Sequence, residues 1–264
     1  MKLSRMGTLM LVAGGALTVT AACSAQDPQP TQPDAPRAAQ QAAAQQGPAV
    51  QRVVLSEGSD RTASRSAGNW ATYADHVLVV TVVGETRHPV LKKEAERGEG
   101  LIARTVSLRV DNVLWSAPDA PQPAPTEVKL AAAGWLFNNH SGPVETKIAI
   151  RDSARLEVGH TYIKALEWID DPCSGDPEKG SWEGLGSGDT IPYDTGVPGA
   201  GEFEGQVRTA DQSKARTRLD TDEARTLRGQ VISGTPVSAL VSGLRVARPA
   251  AEGYLPQECD PADN

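Results

Sequence analysis

Aromatic side chains are scarce in this 264-residue chain, at 4%, with two phenylalanines, four tyrosines and five tryptophans. Any cluster of them therefore stands out. Cysteine is scarcer still. Cys23, Cys173 and Cys259 form no C-x-x-C pair, which leaves a dithiol redox site without support. The chain has no G-x-S-x-G elbow, no H-E-x-x-H and no G-x-x-x-x-G-K-[ST] loop, so the usual hydrolase, zinc-protease and P-loop signatures are missing. Gly98-Glu99-Gly100-Leu101-Ile102-Ala103 has the outline of G-x-G-x-x-A, but it leads into a strand rather than from a strand to a helix, and carries no dinucleotide reading. The four histidines show no metal-ligand spacing; His76 and His160 stand at strand starts and read as structural. A cationic excess is also lacking. The formal charge is −7, so the chain has no general attraction for nucleic acid. Beyond residue 22 there is no hydrophobic run of membrane-spanning length.

The one long apolar run lies at the start. Lys2 and Arg5 precede an almost wholly apolar Met6 to Val19, and small residues then lead to Ala21-Ala22-Cys23. This is the layout of a bacterial export signal, too short for a comfortable membrane span. It resembles the lipoprotein form of that signal, in which the cysteine is lipidated and the chain is cut before it; Thr20 stands where that motif prefers Leu or Val. The alternative is an ordinary cleaved signal peptide. The resemblance implies residues 1–22 as signal peptide, Cys23 as the lipidation site, and an extracytoplasmic protein anchored to the cell membrane. Cys173 and Cys259 then remain as a pair in an oxidising compartment, and a disulfide between them is the economical expectation. In the chain-entropy model it would contribute about 4–5 kcal/mol.

Residues 23–52 change abruptly to Ala, Gln and Pro with hardly any charge or large apolar group. Such a segment cannot bury enough surface to offset its ordering entropy, and it reads as a tether reaching roughly 30 Å. A single globular domain is expected over 53–264.

Within that domain the patterns are mostly of strands. Val77-Leu78-Val79-Val80-Thr81-Val82-Val83 is apolar on both faces, so it should be covered on both sides. Asn69 is a candidate cap for a short preceding helix carrying Trp70, Tyr73 and Ala74. Period-2 alternation marks further strands over 104–115, 126–132, 144–151 and 160–169, the last with Tyr162, Leu166 and Trp168 on one face. Five such strands are most simply closed into a small barrel over about 70–170. A Gly-rich acidic loop, 171–206, follows. Helices then fill 207–264: Thr209 and Gln212 form a capping-box pattern, a break falls near Asp220, and Thr235-Pro236 opens a helix with Val237, Leu240, Val241 and Leu244 on one stripe. The expected class is α+β and β-rich, a five-stranded barrel with the C-terminal helices packed on it.

Tyr73-Ala74-Asp75-His76-Val77, then Val110-Asp111-Asn112-Val113-Leu114, then Val158-Gly159-His160-Thr161-Tyr162-Ile163 are similar to a pattern in secreted bacterial proteins of unknown function. More distantly they resemble the netrin/TIMP-like modules, whose fold is a five-stranded OB-type barrel. The resemblance implies fold rather than activity. TIMP-type inhibitors use the amino group of an N-terminal cysteine placed on the barrel; Cys23 lies some 50 residues before the first strand, and that activity is not carried over.

Two regions are candidate sites. Trp135, Leu136 and Phe137 occupy an expected turn between strands, and with Trp182 they form a candidate contact patch, the alternative being that they cap the barrel as core. Asp170, Asp171, Asp176 and Asp189, with Glu178, Glu183, Asp194 and Glu202, lie on the Gly-rich loop. Oxygen ligands of this kind suit Ca²⁺, although the spacing fits no EF-hand and a solvated loop is the alternative. No catalytic residue and no cofactor is indicated. The leading expectation is a membrane-anchored binding or scaffolding module for a protein or cell-wall component; the rival is an envelope hydrolase drawing on carboxylates of the acidic loop.

Overall fold

The computed structural model describes residues 52–58, 60–140, 144–171 and 179–248. The expected export signal, the expected tether apart from Arg52, all three cysteines, Asp176 and Glu178 lie outside these residues. The chain divides into units 1–49 and 50–264, and the description concerns the second. Among the described residues no helix is long and apolar enough to cross a membrane.

The strands are β1 (Val53–Ser56), β2 (His76–Arg87), β3 (Glu99–Ser116), β4 (Glu127–Asn138), β5 (Val144–Ile150), β6 (Thr161–Asp170), β7 (Gly180–Gly184), β8 (Thr190–Pro192) and the small hairpin β9 (Gly201–Phe203) and β10 (Gln206–Arg208). The helices are α1 (Ala67–Tyr73), α2 (Lys92–Arg97), α3 (Ala210–Leu219), α4 (Thr221–Arg225), α5 (Leu227–Ser233) and α6 (Val237–Val246). One eight-stranded sheet runs β1-β5-β4-β3-β2-β6-β7, with β8 also paired to β6. The β1–β5 pair is parallel and the others antiparallel, so the sheet is mixed.

The class is α+β, but the closed five-stranded OB/TIMP-like barrel is not what forms. All five expected strands are present as β2 to β6, yet the sheet stays open. Closure would need free edges that can meet. Here the outer edge of β5 is taken by β1, and that of β6 by β7 and β8. β1, β7 and β8 are three to five residues long, too short to show alternation, and β7 is the glycine-bearing Gly180-Ser181-Trp182-Glu183-Gly184 inside the expected loop.

The two faces of the sheet are covered differently. On the inner face Leu78, Val80 and Val82 of β2 pack with Val106 and Leu108 of β3, Val128 and Leu130 of β4, and Tyr162 and Leu166 of β6. On the outer face Val77 and Ile163 pack with Trp70 of α1, Val231 and Ile232 of α5, and Leu240 and Leu244 of α6. This explains the run of apolar residues at 77–83: the first half of β2 is buried on both sides. Trp70, fully buried, anchors this layer and donates its Nε1–H to Ser64 O at 2.7 Å.

Helix ends follow local chemistry. Ser66, not Asn69, caps α1, and Asn69 returns the capping-box bond from the third position. Thr209 and Gln212 make the same box at α3, and Asp220 ends α3 and caps α4. Pro236, rather than Thr235, is the cap residue of α6. A larger difference lies at Gly134, expected to begin a break. There β4 bulges and continues to Asn138; a Cβ on Gly134 would sit 1.8 Å from Ile102 O, so only glycine lets the strand pass.

Candidate functional site

Because β4 continues, Trp135-Leu136-Phe137 is strand and not turn, and its side chains alternate between faces. Trp135 and Phe137 are inward and 8% exposed, packed with Ile102 and Val90. Leu136 faces outward and is 41% exposed. Trp182 lies elsewhere, on β7, where it meets Trp168 edge-on at 5.3 Å and His76 at 5.2 Å between ring centroids. The four aromatic and aliphatic candidates are therefore not brought together; Leu136 is the one that faces solvent broadly.

Leu136 has other company. Its register partners are Leu101 on β3 and Thr146 on β5, while Val144 lies opposite Asn138 and Val54 of β1 opposite Ile148. Leu101, Val144 and Val54 are 44%, 53% and 36% exposed. Leu136, Val144 and Val54 line a shallow groove of about 450 Å³ that Arg52, Arg97 and Glu99 rim. The outer face is thus roofed by α1, α5 and α6 at its β2–β6 end, and among the described residues it is aliphatic and uncovered at its β1–β5–β4 end.

Inside, the same end of the sheet is charged. Arg104 and Arg155 have fully buried side chains, and the Trp135 ring lies under Arg87, Arg104 and Arg155 at 4.3, 5.6 and 5.1 Å. Arg104 pairs with Glu85 at 2.5 Å and donates to Ala133 O and Leu156 O. Arg155 donates to Ile148 O and Gly134 O and pairs with Glu157, which also takes Lys147 at 2.8 Å. Burial alone would raise Glu157, but the Lys147 hydrogen bond and the Arg155 charge outweigh it and hold the carboxyl below its ordinary value. Glu202, on β9, accepts from the backbone N–H of Arg155 and of Gly205 at 2.6 and 2.5 Å, with the Tyr162 hydroxyl at 3.5 Å. Burial pushes the Glu202 carboxyl up to about 7, against the two backbone donors and with help from Glu157. Burial, then the Glu202 charge, likewise raises Tyr162.

The described acidic residues of the loop do not gather around one point. Asp189 is buried and paired with Lys164 at 2.5 Å. Asp170 accepts from Trp168 Nε1 at 2.8 Å, and Asp171 follows it at the end of β6. Asp194 holds His160 Nδ1 at 2.6 Å and the Thr161 N–H at 2.8 Å. Glu183 accepts from Ser181. Among the described residues no three His, Cys, Asp or Glu side chains are placed to hold a metal ion. His76 lies between Ser116 Oγ at 2.8 Å and Gln122 O at 3.0 Å, bracing the start of β2.

The buried cations Arg104, Arg155 and Lys164 were not singled out from the sequence. A signal existed for two of them. Lys164 sits between Tyr162 and Leu166 on an otherwise apolar strand face, and Arg104 holds the same place between Ile102 and Val106. A long basic side chain on a core face needs a buried partner. Comparison of the chain with family models, curated proteins and solved structures finds no match.

Proposed function

We propose that the protein is an extracytoplasmic lipoprotein, held to the membrane through Cys23, whose globular domain is a binding module for a protein or cell-wall component. The observation that carries the binding reading is the uncovered outward row of Leu101, Leu136, Val144 and Val54. Among the described residues, aliphatic side chains from four adjacent strands have no helix over them, while the rest of that face is roofed. A patch of this composition, rimmed by charge, is the usual form of a contact surface. Acid–base hydrolysis has less to draw on: Asp189 and Glu202 are buried, and each of their carboxylate oxygens already accepts a hydrogen bond.

The test is site-specific photo-crosslinking in the intact envelope. A photoreactive residue at Leu136 or Val144 is expected to give one discrete adduct, and the same residue at exposed Arg218 none. Equal adducts from all three positions, or none from Leu136 and Val144, would refute the assignment of this face.

A further inference from the structure

β4 pairs with β5 only over Trp135–Asn138, so among the described residues its Glu127–Gly134 stretch has no ladder partner on that side. Between this open edge, the 150–156 segment and β8 lies a slot of about 140 Å³. That is close to the roughly 150 Å³ of a cavity that encloses a benzene ring. Its mouth is at exposed Ala131 and its floor is the buried Lys164–Asp189–Thr190 group. Lys164 Nζ donates to Asp189 Oδ1 at 2.5 Å and to Thr190 Oγ1 at 3.0 Å, and Thr190 returns its proton to Asp189 Oδ1 at 2.6 Å. An ammonium has three N–H donors, so among the described residues one of them has no protein acceptor, on a side chain only 7% exposed. Ala132, Ala154, Ile150 and Leu156 give the slot an aliphatic side, and Ser153 and Arg155 also line it.

Charge also favours an anion there. Arg104, Lys147, Arg155 and Lys164 share the inner side of this end with Glu85, Glu157 and Asp189. Glu202 is pushed up to about 7 by burial and so is not a full counter-charge at neutral pH.

We propose that this slot binds a small aliphatic monocarboxylate, with its carboxylate on Lys164 Nζ and its alkyl end against Ala132, Ala154 and Leu156. The site is separate from the outward face of Leu136 and does not depend on it. A carboxylate oxygen accepts the free N–H, while an alkyl chain of about three or four carbons fills the aliphatic part of the slot.

The experiment is a thermal-melt titration of the full chain carrying Cys23→Ser, with acetate, propionate, butyrate and the neutral analogue butyramide at constant ionic strength. Butyrate at ten times its Kd is expected to raise Tm by about 3–5 °C, in a saturable way. Butyramide should give no such shift. Ala132→Leu fills the slot and leaves the ion pair intact; it should abolish the response, as should Lys164→Met. Should Lys164→Met fail to fold, Ala132→Leu decides alone. The proposal is overturned if no carboxylate gives a saturable shift, if butyramide matches butyrate, or if the response survives in folded Ala132→Leu.

Discussion

Single residues here are governed by how burial and hydrogen bonding compete over charge. Glu202 is 1% exposed and faces Tyr162, the Arg155 N–H and, more distantly, the Glu157 charge. Its carboxyl is raised from the ordinary 4.5 to about 7, so the fold prefers the protonated form. Its contribution to stability is therefore fully present below pH 4.5 and is lost as pH rises through 7. A shift of this size corresponds to roughly 3 kcal/mol across that window. Denaturant melts at pH 5 and pH 8 should show the wild type losing stability, and Glu202→Gln losing distinctly less. Parallel slopes for the two proteins would refute the assignment. Whether Glu202 is buried could not be read from its neighbours in sequence. Glycine and acid on both sides look like a solvated loop, and only the contact with Arg155 and Tyr162, some 40 residues away, takes it inside.

At the scale of elements, alternation marked the five longer strands and one capping box was legible, while the caps of α1 and α6 fell on other residues than expected. Thr209, Gln212 and Asp220 act where the pattern places them. What escaped was continuity. Gly134 reads as a stop, yet β4 runs through it because a bulge brings Ile102 O where a side chain would be. Gly134→Ala is expected to destabilise the domain by about 3 kcal/mol in urea melts. Gly84→Ala, on β2 with open space around its Cα, should change stability by less than about 0.5 kcal/mol. Equal effects at the two glycines would show that the bulge is not what requires Gly134. The same continuity moved Trp135 and Phe137 into the core and left Leu136 outside, since one-residue alternation decides face.

At the scale of the whole molecule, anchoring is argued from sequence and recognition from tertiary structure. If Cys23 carries lipid, the native protein partitions into the detergent phase and Cys23→Ser moves it to the aqueous phase. Partition unchanged by the substitution would remove the anchor. In the same preparations, thiol alkylation without reductant should label neither Cys173 nor Cys259, and labelling of both would dismiss the disulfide. The domain itself shows why five recognisable strands did not specify a barrel. Alternation says which residues of a strand are buried, but closure depends on which edges remain free, and short β1, β7 and β8 occupy them.

The sequence by itself determined the charge-poor Ala/Gln/Pro composition of the N-terminal segment, the five principal strands, the cap of α3 and the break at Asp220, because each rests on composition or on spacing within a few residues. Only the tertiary structure decided that the sheet is open, that Leu136 and not Trp135 faces solvent, that Arg104, Arg155 and Glu202 meet on its inner side, and that Lys164 is buried there against Asp189. Those outcomes depend on contacts between residues tens of positions apart, and a buried charge is stable only where such a distant partner arrives to meet it.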